Sequence, residues 1–222
     1  MPVPLLLLTD GRFPAGGYAH SGGLEAAVEA GLAADGVPLY LAGRLRGVAA
    51  AESRLAVAAA RAARAGALDA LLRLDAEGLA RCPSPPLRTA ASRLGAQLLR
   101  SAAVVWPADE TLADYRRESA STPRPVAFGV VAAAAGLDDR QLAEAYLYED
   151  ATTVTAAAVR LLPVDSALTA RWLVEAAPLL ETLADEAAES GDDPRLLPAG
   201  FAPSLELRSL AHARREGRLF AS

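Results

Sequence analysis

The residues able to do chemistry lie mostly towards the two ends of this chain. His20 and Ser21 are neighbours, with Asp10 and Glu25 close by in sequence, the composition of a base, a nucleophile and an orienting acid. Adjacent residues seldom bring a hydroxyl oxygen onto an imidazole nitrogen at productive geometry, and no Gly-x-Ser-x-Gly elbow occurs. A small α-helical hydrolase built on His20 and Ser21 therefore stands only as an alternative. The soft metal ligands are His20, His212 and Cys82, without paired spacing. A structural zinc site wants about four clustered ligands, so no tight intrinsic metal site is expected, although either histidine could pass a metal on transiently. Gly11, Gly16 and Gly17 are not preceded by a strand pattern and lack the phosphate-binding lysine. All 22 basic residues are Arg, which excludes an autonomous P-loop nucleotidase. No catalytic residue and no cofactor are expected.

Binding is the better use of these residues. Between two apolar helical runs the chain places Pro14, Gly16, Gly17, Tyr18, His20, Ser21, Gly22 and Gly23, followed by Glu25. Pro14 fixes one torsion and the glycines permit close approach, so Tyr18, His20 and Ser21 sit on a stiffened, presented turn. At the other end, His212, Arg214, Arg215, Glu216, Arg218, Leu219 and Phe220 join a cationic cluster to an apolar anchor. Arg and aromatic side chains are favoured interface anchors, which makes a tail spanning about 204–222 a docking segment.

The elements that must position these ends read as helices throughout. A short helix is expected over 24–32 and a longer one over 38–64, with Leu41, Leu45, Val48, Leu55 and Ala59 on one row. Glu52 falls on that row and reads first as a solvated edge position, the alternatives being a pair with an Arg inside the helix layer or a contact with a partner. Further helices are expected over 68–79, through Leu87, Leu94 and Ala102, between Trp106 and Pro125, and over 126–135 with Gly136 as a left-handed cap. Asp138 and Gln141 resemble a capping box opening a helix to Leu161, which lacks a strongly polar face and belongs in the centre of a bundle. Thr152–Thr155 favours strand locally, but no second strand-like run exists to pair with it. Ser166 is expected to cap the next helix, with a kink at Pro178, and a last short helix spans 204–214. The reading is all-α, a single-domain bundle of eight to ten helices over residues 1–222.

Composition agrees. The chain is 52% hydrophobic but only 5% aromatic, with a mean hydropathy of +0.20. The excess is Ala and Leu, strong helix formers that let helices approach closely. A net charge of −5 argues against a nucleic-acid partner. A single Cys suits a reducing compartment, and no apolar run approaches the ~20 residues of a membrane span, so a cytoplasmic location is expected.

Three blocks carry a family resemblance. The order Phe13-Pro14-Ala15-Gly16-Gly17-Tyr18-Ala19-His20-Ser21-Gly22-Gly23-Leu24-Glu25, the central Ala156-Ala157-Ala158-Val159-Arg160-Leu161-Leu162-Pro163, and the ending Arg218-Leu219-Phe220-Ala221-Ser222 preceded by His212 resemble the UreF family of urease accessory proteins. The resemblance implies an all-α, homodimeric, non-catalytic helper of nickel insertion into apo-urease. It would bridge the scaffold protein UreD (UreH in some species) and the GTPase UreG, and regulate GTP-dependent metal delivery. It implies interface or loop-shaping roles for Pro14, Gly16, Gly17, Tyr18, Ser21 and Glu25, and docking roles for His212, Arg218, Leu219, Phe220 and Ser222. Arg160 and Pro163 would be structural or face the GTPase. The family's Leu-Gly-Gln after the central proline is here Val164-Asp165-Ser166, and the Glu after the tail histidine is Ala213. A divergent paralogue serving another GTPase or metal pathway is the alternative that these departures suggest.

Overall fold

The computed structural model describes residues 2–11, 13–14, 19–200, 202–212 and 219–220. Its helices are α1 (Val3–Thr9), α2 (Leu24–Glu29), α3 (Val37–Arg44), α4 (Ala50–Arg64), α5 (Leu68–Ala80), α6 (Pro85–Val105), α7 (Glu110–Glu118), α8 (Arg124–Ala134), α9 (Asp139–Leu161), α10 (Ser166–Ala188) and α11 (Pro203–His212). A 3-10 turn, Ala34–Gly36, leads into α3, and a π turn, Leu45–Ala49, joins α3 to α4 without a break. Among the described residues, with that run counted as one, there are ten helices and no strand. No helix among them is long and apolar enough to cross a membrane.

Local chemistry sets several boundaries. Asp138 Oδ1 accepts from Gln141 N at 2.8 Å while Asp138 N donates to Gln141 Oε1 at 3.2 Å, closing the capping box that opens α9. Gly136 takes φ +73° after α8. Its N–H reaches Ala133 O and that of Leu137 reaches Ala132 O, each at 3.0 Å, the paired bonds of a left-handed helix end. Ser166 is not the cap of α10. Asp165 is, its Oδ1 accepting from Leu168 N at 2.7 Å, so the carboxylate takes the position that the sequence pattern assigned to the hydroxyl one residue later. In the strand-favouring stretch the helix wins. Thr152 and Thr153 each donate to Glu149 O at 2.9 Å, and Thr155 donates to Ala151 O at 3.2 Å, so their hydroxyls are satisfied inside α9.

The core forms where small residues let helices touch. A Cβ on Gly129 of α8 would lie 2.2 Å from Ala56 O and 2.8 Å from Ala59 Cβ of α4. Ala56, Ala59 and Ala60 of α4, all buried, line that crossing. α9 runs centrally against α1, α2, α4 and α10, burying Leu147, Ala151, Val154 and Ala158. Tyr146 of α9 meets Phe128 of α8 edge-on, with centroids 5.2 Å apart. Buried apolar residues from Leu8 to Phe220 belong to one cluster.

Candidate docking site

The opening loop enters α2 through Gly22 and Gly23, at φ +60° and +80°, torsions that side chains with a Cβ resist. Ser21 is fully buried. Its carbonyl accepts from Leu24 N at 3.1 Å and its Oγ from Glu25 N at 3.3 Å, bracing the first turn of α2. A hydroxyl wrapped in this way cannot meet a substrate, which removes the hydrolase alternative. Cys82 is equally unsuited to attack: burial pushes its thiol up to about 11.

Glu25, one turn later, is a meeting point. Its Oε1 accepts from Leu219 N at 2.8 Å and its Oε2 from Phe220 N at 3.2 Å, so one carboxylate holds two consecutive amides of the tail. Hydrogen bonds to a charged acceptor are the strong kind, about 1.5–3 kcal/mol each. His212, at the end of α11, brings Nε2 to 3.3 Å from Glu25 Oε2, with both side chains about 5% exposed. Neither imidazole nitrogen has a hydrogen-bond partner of good geometry among the described residues. Phe220 is 5% exposed beneath Arg160 of α9, whose guanidinium lies 4.3 Å from the ring centroid. Leu219 points the other way and is 59% exposed, and on α11 Leu207 and Leu210 are exposed as well.

Six of the residues singled out by sequence are thus gathered: Ser21, Glu25, Arg160, His212, Leu219 and Phe220. Pro14 is not among them. Its carbonyl accepts from Ser101 Oγ at 2.8 Å and Gln97 Nε2 at 3.3 Å, tying the opening loop to α6. Pro163 sits in the exposed turn that ends α9. Gly16, Gly17, Tyr18, Arg218 and Ser222 lie outside the described residues, as does the end of the expected last helix beyond His212.

Sequence reasoning missed what stands behind this cluster. A cavity of about 160 Å³ is lined by Arg44, Glu52, Arg124, Tyr146, Glu149 and Asp150 among others. Arg44 is bidentate to Asp150, with Nε to Oδ2 at 2.8 Å and Nη2 to Oδ1 at 2.6 Å. Arg124 pairs with Glu149 and lies 4.7 Å from the Tyr146 ring centroid. Burial opposes both guanidinium charges, but their acidic partners outweigh it and the arginines stay charged. Glu52 corrects the solvated-edge expectation. It accepts from Tyr146 Oη at 2.8 Å, and burial, reinforced by the Asp150 charge, pushes its carboxyl above the ordinary range. Glu52 keeps its place on the inward row, since Val48 and Leu55 line the same cavity; the Tyr146 hydroxyl and the buried arginines nearby are what let an acid sit there. His20 also lines the cavity, and burial followed by the Arg124 charge lowers its imidazole. One signal was available: Asp150 lies on the apolar side of α9 between Leu147 and Val154, and an acid there demands a buried cation. Among the described residues no group of three or more His, Cys, Asp or Glu could hold a metal ion.

A family model described as UreF matches residues 33–177. The chain is similar to the urease accessory protein UreF of Mycobacterium sp. (strain JLS), 38% identical over 98% of this chain and 97% of that one. It is 37% identical to the UreF of Mycolicibacterium vanbaalenii over the same shares, and 33% identical to that of Arthrobacter sp. (strain FB24) over 99% of this chain and 96% of that one. The match spans both ends as well as the helical middle, so the chain belongs to the UreF family, the non-catalytic accessory proteins of urease nickel metallocentre assembly.

Proposed function

We propose that this chain acts as a single all-α, homodimeric cytoplasmic unit that docks a UreD/UreH-type scaffold protein and a UreG-type GTPase, so that GTP-dependent nickel delivery reaches apo-urease. The observation that carries the reading is the meeting, at the tail, of three segments remote in sequence that the family resemblance had marked separately: Glu25 of α2 holds the Leu219 and Phe220 amides, and Arg160 of α9 covers the Phe220 ring. Their cluster offers a partner a rigid base and an apolar rim. Phe220 and His212 are buried, while Leu219, Leu207 and Leu210 stand exposed around them. Exposed leucines grouped beside an ordered backbone suit docking by burial of apolar surface. The scaffold protein is the occupant that this surface is assigned. Arg160, Pro163 and the cavity side of α9 are left to positioning or to the GTPase. Pro14, Gly16, Gly17 and Tyr18 shape the loop, and Arg218 and Ser222 complete the tail.

Co-expression with the UreD/UreH-type and UreG-type proteins of the same organism, followed by pull-down and light scattering, tests this. The expected result is a stoichiometric complex built on a dimer of this chain. A variant lacking residues 218–222 should lose the scaffold protein while keeping its helicity. Full capture by the truncated chain refutes the docking assignment, and recovery of this chain alone beside soluble, unbound partners refutes the bridging role.

A further inference from the structure

We infer that Arg44, clamped by Asp150, is the positioning residue of the tail cluster, acting through the Gly22–Gly23 elbow on Glu25. The guanidinium has three polar tasks in one place. Two nitrogens engage the Asp150 carboxylate, and the third, Nη1, donates to Gly22 O at 3.1 Å. Tyr40 Oη donates to the same carbonyl at 2.7 Å. Gly22 O is therefore doubly tethered to α3, and through Arg44 to the centre of α9.

The elbow so held is tight on both sides. A Cβ on Gly22 would fall 2.9 Å from Val154 Cγ2, and one on Gly23 would fall 2.0 Å from Leu205 Cδ1 of α11. Three residues after the anchored Gly22 comes Glu25, whose carboxylate must present one oxygen to each of two tail amides. α11 leans on the same elbow through Leu205 and carries His212 to Oε2 of that carboxylate, the oxygen that also takes the Phe220 amide. Shifting Gly22 displaces both supports of the tail together. Arg44 touches neither Leu219 nor Phe220 in any described contact, so its effect is exerted through the elbow. An Arg suits the place because its rigid fork holds Asp150 through two nitrogens and still aims a third at Gly22 O, whereas a lysine has only one nitrogen and no fixed geometry to do both. This inference rests on reading the tail cluster as the docking site, but it concerns the isolated chain and needs no partner to be tested.

The experiment is hydrogen exchange on the full-length protein, comparing the backbone amides of Leu219 and Phe220 with those of α8. Arg44→Lys keeps the charge facing Asp150 and gives up the fork. It should speed exchange of the two tail amides roughly tenfold relative to α8. Tyr40→Phe removes only the second tether and should move the same amides in the same direction by a smaller factor, which covers the case in which the Arg44 variant folds poorly. On a Glu25→Ala background neither change should add anything, because the route runs through that carboxylate. Unchanged tail exchange, equal acceleration of α8, or additive effects on the Glu25→Ala background would each overturn the assignment. If the exchange results hold and tail deletion still leaves scaffold capture intact, the docking reading fails and the positioning role stands.

Discussion

Replacing glycine by alanine at two helical positions should change stability in opposite directions. Gly43 lies in α3, exposed, and a Cβ there meets nothing within 4 Å. Gly129 lies in α8, where a Cβ would stand 2.2 Å from Ala56 O and 3.0 Å from Ala60 N, both backbone atoms of α4. At Gly43 only helix propensity changes, and Gly43→Ala should gain about 1 kcal/mol. At Gly129 the same propensity gain is present, but no rotamer change can clear a clash with backbone. α4 and α8 must separate, and overpacking of this kind costs about 1–3 kcal/mol. The long crossing loses dispersion contacts as well, which places Gly129→Ala at the top of that range and leaves a net loss of roughly 2 kcal/mol after the gain of about 1 kcal/mol is subtracted. For a chain of this length a change of 1 kcal/mol moves Tm by about 2–4 °C. Thermal melts followed by far-UV circular dichroism should therefore show Gly43→Ala about 2–4 °C above the parent protein and Gly129→Ala about 4–8 °C below it. A Gly129→Ala variant melting at or above the parent would refute the close crossing of α4 and α8 and the reading of the alanines that line it.

Other expectations follow from buried polar groups. Asp75 accepts from Tyr115 Oη at 2.6 Å and from Ser119 Oγ, and burial nevertheless raises its pKa. A folded value above the unfolded one means that the native state binds the proton more tightly, so stability falls as pH rises from about 4 through the raised value and then levels off. Asp75→Asn, which keeps an acceptor for Tyr115, should flatten that slope in pH-dependent urea melts, while Asp75→Ala should destabilise at every pH. With its half-buried thiol pushed up to about 11, Cys82 should react with iodoacetamide near neutral pH on the order of 100-fold more slowly in the native protein than in urea, and equal rates would contradict that shift. Phe220→Ala removes a buried ring worth about 1.5–3 kcal/mol of transfer free energy and its contact with Arg160. Pull-down with the scaffold protein should weaken while the far-UV spectrum is kept.

Much of the architecture was legible in the chain because its causes are local. A capping box needs only Asp138 and Gln141, a helix end needs Gly136, and the apolar row of α9 repeats within its own helix. Where two local signals competed, the reading slipped by one residue: Asp165 and Ser166 are both good caps, and which of them serves depends on where the turn after Pro163 delivers the chain. Glu52 was placed on the right row but read as solvated, because the hydroxyl that satisfies it belongs to Tyr146, 94 positions away.

At the site, the residue types were evident and their partners were not. Ser21, Glu25, Arg160, His212, Leu219 and Phe220 could be picked out as residues that a mere connector does not need. That Glu25 would hold the amides of Leu219 and Phe220, 194 and 195 positions away, follows from no spacing rule. Nor could sequence pair Arg44 with Asp150 across 106 positions, although a lone acid on an apolar face announced that some cation must come. Helix identity, caps and the apolar faces were determined by the sequence itself, since turns and side-chain periodicity act over a few residues. The clasp at Glu25, the buried ion pairs and the cavity they line were decided only by tertiary structure, because a charge taken out of water accepts whichever partner the packing of distant helices brings within reach.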